Sequence, residues 1–245
     1  MTLIQALILG LLQGLTEFLP VSSTAHLVVA QNWFKLQAVP VEFDISVHLA
    51  TALATVLVLW PVIKKINLRL IKFIFLALIP TGILGLWFKQ WEELIFGSLL
   101  FSAVTLIING FILLLPKIVK NKVKDLNSKN SLLIGTAQGL AVLPGISRSG
   151  ATIVAGLLTG IKPVDAYNFS FLISLPAIAA AMLLQLTDLP AGQWFNPGLL
   201  IGFVAAFISG FFALKLLKKF VSQGKFSFFA YYCLVLGLTL LVFTS

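Results

Sequence analysis

The chain has 245 residues, of which 59% are hydrophobic and 10% charged, with a net charge of +9. Soluble domains carry about 25% charged residues, so this composition, with a mean hydropathy of +1.05, excludes a water-soluble fold. The basic excess sits in short clusters between apolar runs without interleaved aromatics, which excludes a nucleic-acid surface and points to loop charges beside membrane spans.

In chain order, two apolar segments at 2–18 and 22–32 flank Pro20-Val21-Ser22-Ser23-Thr24. Apolar runs at about 42–61, 67–88 and 94–116 follow, each near the roughly 20 residues a spanning helix needs. A polar, basic loop covers 117–130. Two short segments, 131–143 and 148–160, then flank Pro144-Gly145-Ile146-Ser147-Arg148-Ser149, and three long runs lie at about 165–186, 196–217 and 226–244. The N-terminus lacks a basic lead and is interrupted by the polar stretch Gln13 to His26, so it does not read as a cleavable signal. Cys233, in the last run, reads as a packing residue.

Each short segment is too short, or too polar at its tip, to cross comfortably. The spacing predicts two re-entrant helical hairpins, 2–32 and 131–160, since non-helical backbone at membrane depth is tolerated only inside protein or a wet cavity. The halves also repeat. Leu7-Ile8-Leu9-Gly10 followed by Gln13-Gly14-Leu15 matches Leu132-Leu133-Ile134-Gly135 followed by Gln138-Gly139-Leu140. Residues 1–116 and 131–245 thus each read as a hairpin plus three spans, within one membrane domain covering 1–245. Three spans is an odd number, so the second repeat is inverted, a known way to bring broken helices together at a central site. With both termini on one side, the basic residues of 64–72, of 117–129 (Lys120 and Lys122 among them), Lys162 and those of 215–225 fall on the other. Lys35, Lys89, Glu42, Asp44, Glu92, Glu93 and Asp188 fall with the termini. Cytoplasmic loops collect Lys and Arg, so the termini are expected outside.

Glu17 and Arg148 fall on neither side; each stands at a hairpin tip, and an intramembrane charge faces a cavity or a partner. Gln13 and Glu17 are four apart and share a helix face. Ser22, Ser23 and Thr24 open one half-helix, and Ser147 and Ser149 open its counterpart. Helix N-termini offer free amide donors and a positive dipole end, Arg adds a planar fork for phosphate oxygens, and Gly145 and Gly150 admit close backbone approach. With Thr152, these residues describe an anion site. Ser23 or Thr24 can serve as nucleophile, and Glu17 or His26 as its base or as the acid for the leaving group. Glu17, with Gln13, can hold a divalent cation on a diphosphate. The bland readings are N-caps for the hydroxyls and an internal hydrogen bond for His48. Lys162 and Asp165 read as ordinary cap and interface charges.

Gln13-Gly14-Leu15-Thr16-Glu17-Phe18-Leu19-Pro20-Val21-Ser22-Ser23-Thr24-Ala25-His26 resembles the first signature of the undecaprenyl-diphosphate phosphatase family, also called bacitracin-resistance proteins. Pro144-Gly145-Ile146-Ser147-Arg148-Ser149-Gly150-Ala151-Thr152 is similar to its second signature, and Phe169-Ser170-Phe171-Leu172 through Pro176 to the segment after it. The resemblance implies six spanning helices plus two re-entrant hairpins, with the site open to the outside. It implies hydrolysis of undecaprenyl diphosphate to the monophosphate and phosphate, which recycles the lipid carrier of cell-wall synthesis. By position, Glu17, Ser23, His26 and Arg148 match the family's catalytic residues, and Ser22, Ser147, Ser149 and Thr152 its phosphate-binding surroundings. Gln13 stands where many members carry a second Glu, which weakens any scheme needing two carboxylates on a metal. Ala25 replaces a common Gly with little expected effect, and the chain is somewhat short for the family, consistent with trimmed loops.

The expectation is an all-α polytopic membrane protein: six transmembrane helices plus two re-entrant helical hairpins, related as an inverted repeat. Its place is the bacterial plasma membrane, with termini and active site facing outside, and its activity confers bacitracin resistance. Glu17, Ser23, His26 and Arg148 are expected to be catalytic, with Ser22, Thr24, Gly145, Ser147, Ser149 and Thr152 on the phosphate. Mg²⁺ or Ca²⁺ is expected on Glu17 and Gln13. The expected partners are a polyprenyl diphosphate and the bilayer, with a homodimer left open. The rival readings are a secondary transporter and a polyprenyl-phosphate flippase using the same cavity.

Overall fold

The computed structural model describes residues 1–36, 39–91, 98–118, 123–186 and 196–244. Within them the chain forms ten α-helices and no strand: α1 (Leu3–Phe18), α2 (Ser23–Phe34), α3 (Val41–Ile63), α4 (Leu68–Lys89), α5 (Leu99–Ile118), α6 (Ser128–Leu140), α7 (Arg148–Leu158), α8 (Pro163–Leu186), α9 (Pro197–Ser222) and α10 (Ser227–Thr244). By length and composition, α3, α4, α5, α8 and α9 can each cross a membrane, while α1 and α10 are shorter apolar helices. The protein is thus a helical, multi-pass membrane protein.

Both expected interruptions are present. α1 ends at Phe18 and α2 begins at Ser23; α6 ends at Leu140 and α7 begins at Arg148, and each pair packs together across its turn. α6 starts three residues earlier than the apolar run suggests, because the Asn127 side chain caps it, accepting the Asn130 N–H at 3.0 Å. The 94–116 run is helical from Leu99 within the described residues.

The repeated glycines explain the packing. α1 lies parallel along α9: a Cβ on Gly10 would strike the Gly202 backbone, and one on Gly14 would strike the Ala206 carbonyl and Ser209. On α9 the facing positions Gly198, Gly202, Ala206 and Gly210 recur every fourth residue. α6 lies along α4 in the same manner, Gly135 against the Ala77 backbone and Gly139 against Leu84 and Pro80. α5 and α10 run antiparallel, with Gly110 against Leu234 and Gly237 against Ile107. Lipid tails are as apolar as the side chains, so close backbone approach and van der Waals contact must hold such helices together.

A central core of Phe18, Leu106, Leu113, Tyr167, Phe171 and Leu214 lies beneath the two turns. Tyr167, fully buried, donates its hydroxyl to the Leu214 carbonyl at 3.0 Å, which satisfies its one polar atom. At one end of the molecule Val62, Leu70, Lys124, Ile161 and Lys162 line a cavity of about 220 Å³, and the Lys124 N–H donates to the Gly160 carbonyl at 2.8 Å. At the other end Gln185 donates to Asp44 at 3.2 Å and Ser46 donates to the Leu199 carbonyl at 3.3 Å. The turns around 62–70, 124–126 and 161–162 therefore gather together, Asp125 and Asp165 lining the same cavity, apart from Asp44. Lys120, Lys122, Glu92, Glu93 and Asp188 lie outside the described residues.

Candidate active site

The two turns touch. The Ser22 hydroxyl accepts the Gly145 N–H at 3.0 Å, and Ser149 donates its hydroxyl to the Phe18 carbonyl at 2.7 Å, satisfying the last turn of α1. Ser22 holds a left-handed φ of 67°, a strained conformation for a residue with a Cβ, and Gly145, at φ 96°, sits where a Cβ would strike Thr105. Both turns hang on α5. Asn109, fully buried, accepts the Ser147 N–H on Oδ1 at 3.0 Å and donates from Nδ2 to the Pro20 carbonyl at 3.1 Å. Thr105 donates to the Pro144 carbonyl. Cys233 of α10, also fully buried, lies with its Sγ 3.3 Å from Asn109 Nδ2 and 3.5 Å from the Pro20 carbonyl.

Glu17, at the end of α1, is the hub. Arg148 pairs with its Oε1, and its Oε2 accepts from the Ser23 hydroxyl at 3.0 Å and from Gln13 Nε2 at 3.0 Å. Ser23 and Arg148 are each the first residue of a helix, α2 and α7, so two helix N-termini face each other across one carboxylate. The third amide of each helix is capped, Ala25 by Ser22 and Gly150 by Ser147. The N–H groups of Ser23, Thr24, Arg148 and Ser149 have no hydrogen-bond acceptor among the described residues, as the first amides of a helix require. Arg148 Nη1 and Gln13 Oε1 are buried and likewise without a partner. A buried donor left unpaired costs roughly 1–3 kcal/mol, so such a set marks a place built for a ligand. Its donors suit an anion.

The structure thus brings Gln13, Glu17, Ser23 and Arg148 together. Ser22 and Ser147 are the N-caps, Ser147 also donating to Ser149 at 3.1 Å because the Ser149 proton is spent on Phe18. Thr152 donates to the Arg148 carbonyl at 2.8 Å and sits 2.5 Å from the Ser170 hydroxyl, fixing the first turn of α7. Thr24 is half-buried, and its side chain has no hydrogen bond among the described residues. His26 faces elsewhere: Nδ1 donates to the Ser22 carbonyl at 2.7 Å, and Nε2 accepts from the Tyr232 hydroxyl of α10 at 2.7 Å, the two rings stacked with centroids 5.7 Å apart. His48 turns toward the site, with Nδ1 3.3 Å from Gln13 Nε2. Asn109, Thr105 and Tyr232 escape sequence reasoning. The polar residues inside the apolar run of α5 are the signal for the first two; Tyr232 reads as one more interfacial aromatic.

No group of three His, Cys, Asp or Glu side chains comes together among the described residues, so no protein-only cage exists. Glu17 offers carboxylate oxygens and Gln13 a partnerless Oε1, with the Gln13 Nε2 rather than its Oε1 turned to Glu17. They fit a cation that takes its remaining ligands from water and phosphate, as Mg²⁺ does.

A family description, "Bacitracin resistance protein BacA", matches residues 6–239. The chain belongs to this bacitracin resistance protein family. Relatives cover it almost end to end. An undecaprenyl-diphosphatase of Desulforapulum autotrophicum is 40% identical, the match covering 97% of each chain. One of Carboxydothermus hydrogenoformans is 41% identical over 97% of this chain and 96% of its own. One of Bacteroides thetaiotaomicron is 38% identical over 99% of both. Both touching turns lie within the family's matched stretch.

Proposed function

We propose that the chain is an integral membrane phosphatase that hydrolyses undecaprenyl diphosphate to undecaprenyl phosphate and inorganic phosphate. It thereby recycles the lipid carrier of cell-wall synthesis and confers resistance to bacitracin. One observation carries the reading: the opening residues of two helices, Ser23 and Arg148, converge on the single carboxylate of Glu17, with four free amides around them.

The polyprenyl tail stays among the helices or in lipid. The terminal phosphate takes the free amides and Arg148 Nη1, where helix dipole and guanidinium act together. The Ser23 proton already points to Glu17 Oε2. Ser23 Oγ attacks phosphorus as Glu17 takes that proton, and the bond to the bridging oxygen breaks, its electron pair leaving with the polyprenyl monophosphate. Glu17 passes that proton to the leaving monophosphate oxygen and, a carboxylate again, takes one from water as the water oxygen attacks phosphorus; the bond to Ser23 Oγ breaks, the proton returns to Oγ, and inorganic phosphate is freed. Glu17 is the better base than His26 because both His26 nitrogens are held by Ser22 and Tyr232. Gln13 Oε1 and Glu17 would hold a divalent cation, which supplies neutralisation of the diphosphate charge.

In this reading α1–α2 and α6–α7 are re-entrant hairpins, α10 is the sixth span, and 1–116 and 131–245 are inverted repeats. The packing supports it: α1 lies on α9 as α6 lies on α4, while α5 and α10 pair with each other, so exchanging the halves returns these three pairings. The site then opens to the outside of the plasma membrane.

The test is phosphate release from a polyprenyl diphosphate by the purified protein in detergent. Arg148→Ala should lower kcat/KM by at least about 10³-fold, the scale of a lost transition-state charge clamp, with the fold intact by size-exclusion chromatography. Near-normal turnover by a folded Arg148→Ala protein overturns the assignment. A transporter or flippase would move its cargo without releasing phosphate.

A further inference from the structure

Behind Gln13 stands a chain of side chains that the mechanism above does not use. Gln13 Nε2 carries two protons: one goes to Glu17 Oε2 at 3.0 Å and the other faces His48 Nδ1 at 3.3 Å. An amide nitrogen donates and does not accept, so Nδ1 must be bare and the ring proton must sit on Nε2. That atom lies 3.6 Å from Asp44 Oδ1, four residues earlier on α3. Asp44 is held in turn by Gln185 of α8, whose Nε2 donates to Oδ2 at 3.2 Å. A carboxylate behind a histidine fixes the tautomer and the orientation of the ring.

We infer that Asp44 and His48 are positioning residues, setting the Gln13 amide so that its carbonyl oxygen is presented to the reacting diphosphate and its cation. The inference rests on the phosphatase reading of the site and extends it. With both amide protons committed, Oε1 has one direction left. A flipped amide would aim Oε1 at the Glu17 carboxylate, an acceptor against an acceptor. Oε1 is instead buried without a partner on a side chain that is itself fully buried.

The internal repeat provides a comparison. Gln138, the counterpart of Gln13 in the repeated motif, donates to the Thr81 hydroxyl at 3.3 Å and to the Ile173 backbone carbonyl at 3.4 Å. Four residues on from Gln138 stands Val142, where Glu17 stands four residues on from Gln13. In the second half, where no carboxylate stands four residues on, the same amide is thus anchored by backbone and a hydroxyl, its own Oε1 also buried without a partner. In the other half it is anchored by a carboxylate and a carboxylate-backed imidazole.

The test measures kcat, KM and the Mg²⁺ concentration giving half-maximal phosphate release, with the Mg²⁺-dependent rise in melting temperature as a readout independent of turnover. His48→Leu should lower kcat about 10–100-fold, the usual cost of losing a partner that orients a ligand. KM should stay near the parent value, the half-maximal Mg²⁺ should rise, and the Mg²⁺-dependent thermal shift should shrink. His48→Gln, which restores an acceptor toward Gln13 and a donor toward Asp44, should recover most of the loss. In a Gln13→Leu background His48→Leu should cost nothing further, because the two act as one unit. Unchanged kcat and Mg²⁺ dependence in His48→Leu overturns the inference. So does an equal loss in His48→Gln, or full additivity with Gln13→Leu. If Arg148→Ala abolishes release while His48→Leu does not alter it, the positioning role alone fails. If the parent chain releases no phosphate, the phosphatase reading fails first.

Discussion

Glu17 has three claims on its two oxygens, from Arg148, Ser23 and Gln13, and this sharing orders the site before substrate arrives. Arg148 is held on Nη2, while Nη1 stays buried and free, so the guanidinium is already aimed when a phosphate oxygen enters. Glu17→Gln keeps the shape and removes the base; kcat should fall about 10²–10⁴-fold, the usual worth of a positioned general base. Ser23→Ala should cost at least about 10²-fold on the same scale, and a denatured quench of the parent during turnover should show phosphoserine at position 23. Ser23→Ala with near-parent kcat would transfer the attack to water and leave Ser23 as a donor to Glu17 only. At this scale much was legible in the sequence. Glu17, Ser23 and Arg148 stand at tips where charge in an apolar chain demands a purpose. Geometry added the commitment of each atom: Ser22 and Ser147 spend their oxygens on caps, and His26 turns to Tyr232. Hydroxyl identity alone does not tell a cap from a ligand donor, because both stand at helix starts.

The site is exact only if two broken helices keep their register, and α5 is the element that holds it. Asn109 binds the Ser147 N–H of one turn and the Pro20 carbonyl of the other. Asn109→Leu fills similar volume yet leaves the Ser147 N–H unpaired, at roughly 1–3 kcal/mol, and the Pro20 carbonyl with only the weak Cys233 thiol. The detergent melting temperature should drop and kcat should fall together, whereas an effect on neither would remove Asn109 from the account. Glycines make a second contrast. A methyl on Gly14 meets α9 backbone, while Gly82 of α4 has nothing within 4 Å of a Cβ. Gly14→Ala should destabilise by about 1–3 kcal/mol through overpacking, and Gly82→Ala should be neutral or stabilising by up to about 1 kcal/mol from helix propensity; thermal melts of the two variants side by side decide it. The repeated Gly and Gln positions were visible in the sequence as a motif. Their partners were not, since α1 packs on α9 and α6 on α4, far along the chain, and no local pattern encodes which spans meet. Asn109 was visible only as a polar residue inside an apolar run, with nothing to say which groups it holds.

Across the whole molecule the pattern of charge predicts an orientation. The turns bearing Lys124 and Lys162 gather around one cavity, and Asp44, Gln185 and Leu199 meet at the other end. If cytoplasmic loops collect the basic residues, the N-terminus and the α2–α3 connection face outward, and a diphosphate left in the outer leaflet reaches Glu17 without crossing the membrane. This orientation has a direct test, because the native thiol Cys233 is fully buried and bonded between Asn109 and Pro20, so it should not react with reagents in water. Thr2 and Asn67 are both exposed and sit at opposite ends of the reading. In intact cells a membrane-impermeant maleimide should label Thr2→Cys and leave Asn67→Cys unlabelled until the membrane is permeabilised. The reverse pattern would invert the protein and place the site on the cytoplasmic face. Equal labelling of both from outside would mean an even number of crossings between Thr2 and Asn67, where the reading has one. That would turn one expected hairpin into a plain span, and the meeting of Ser23 and Arg148 on Glu17 would then need a different topology to explain it.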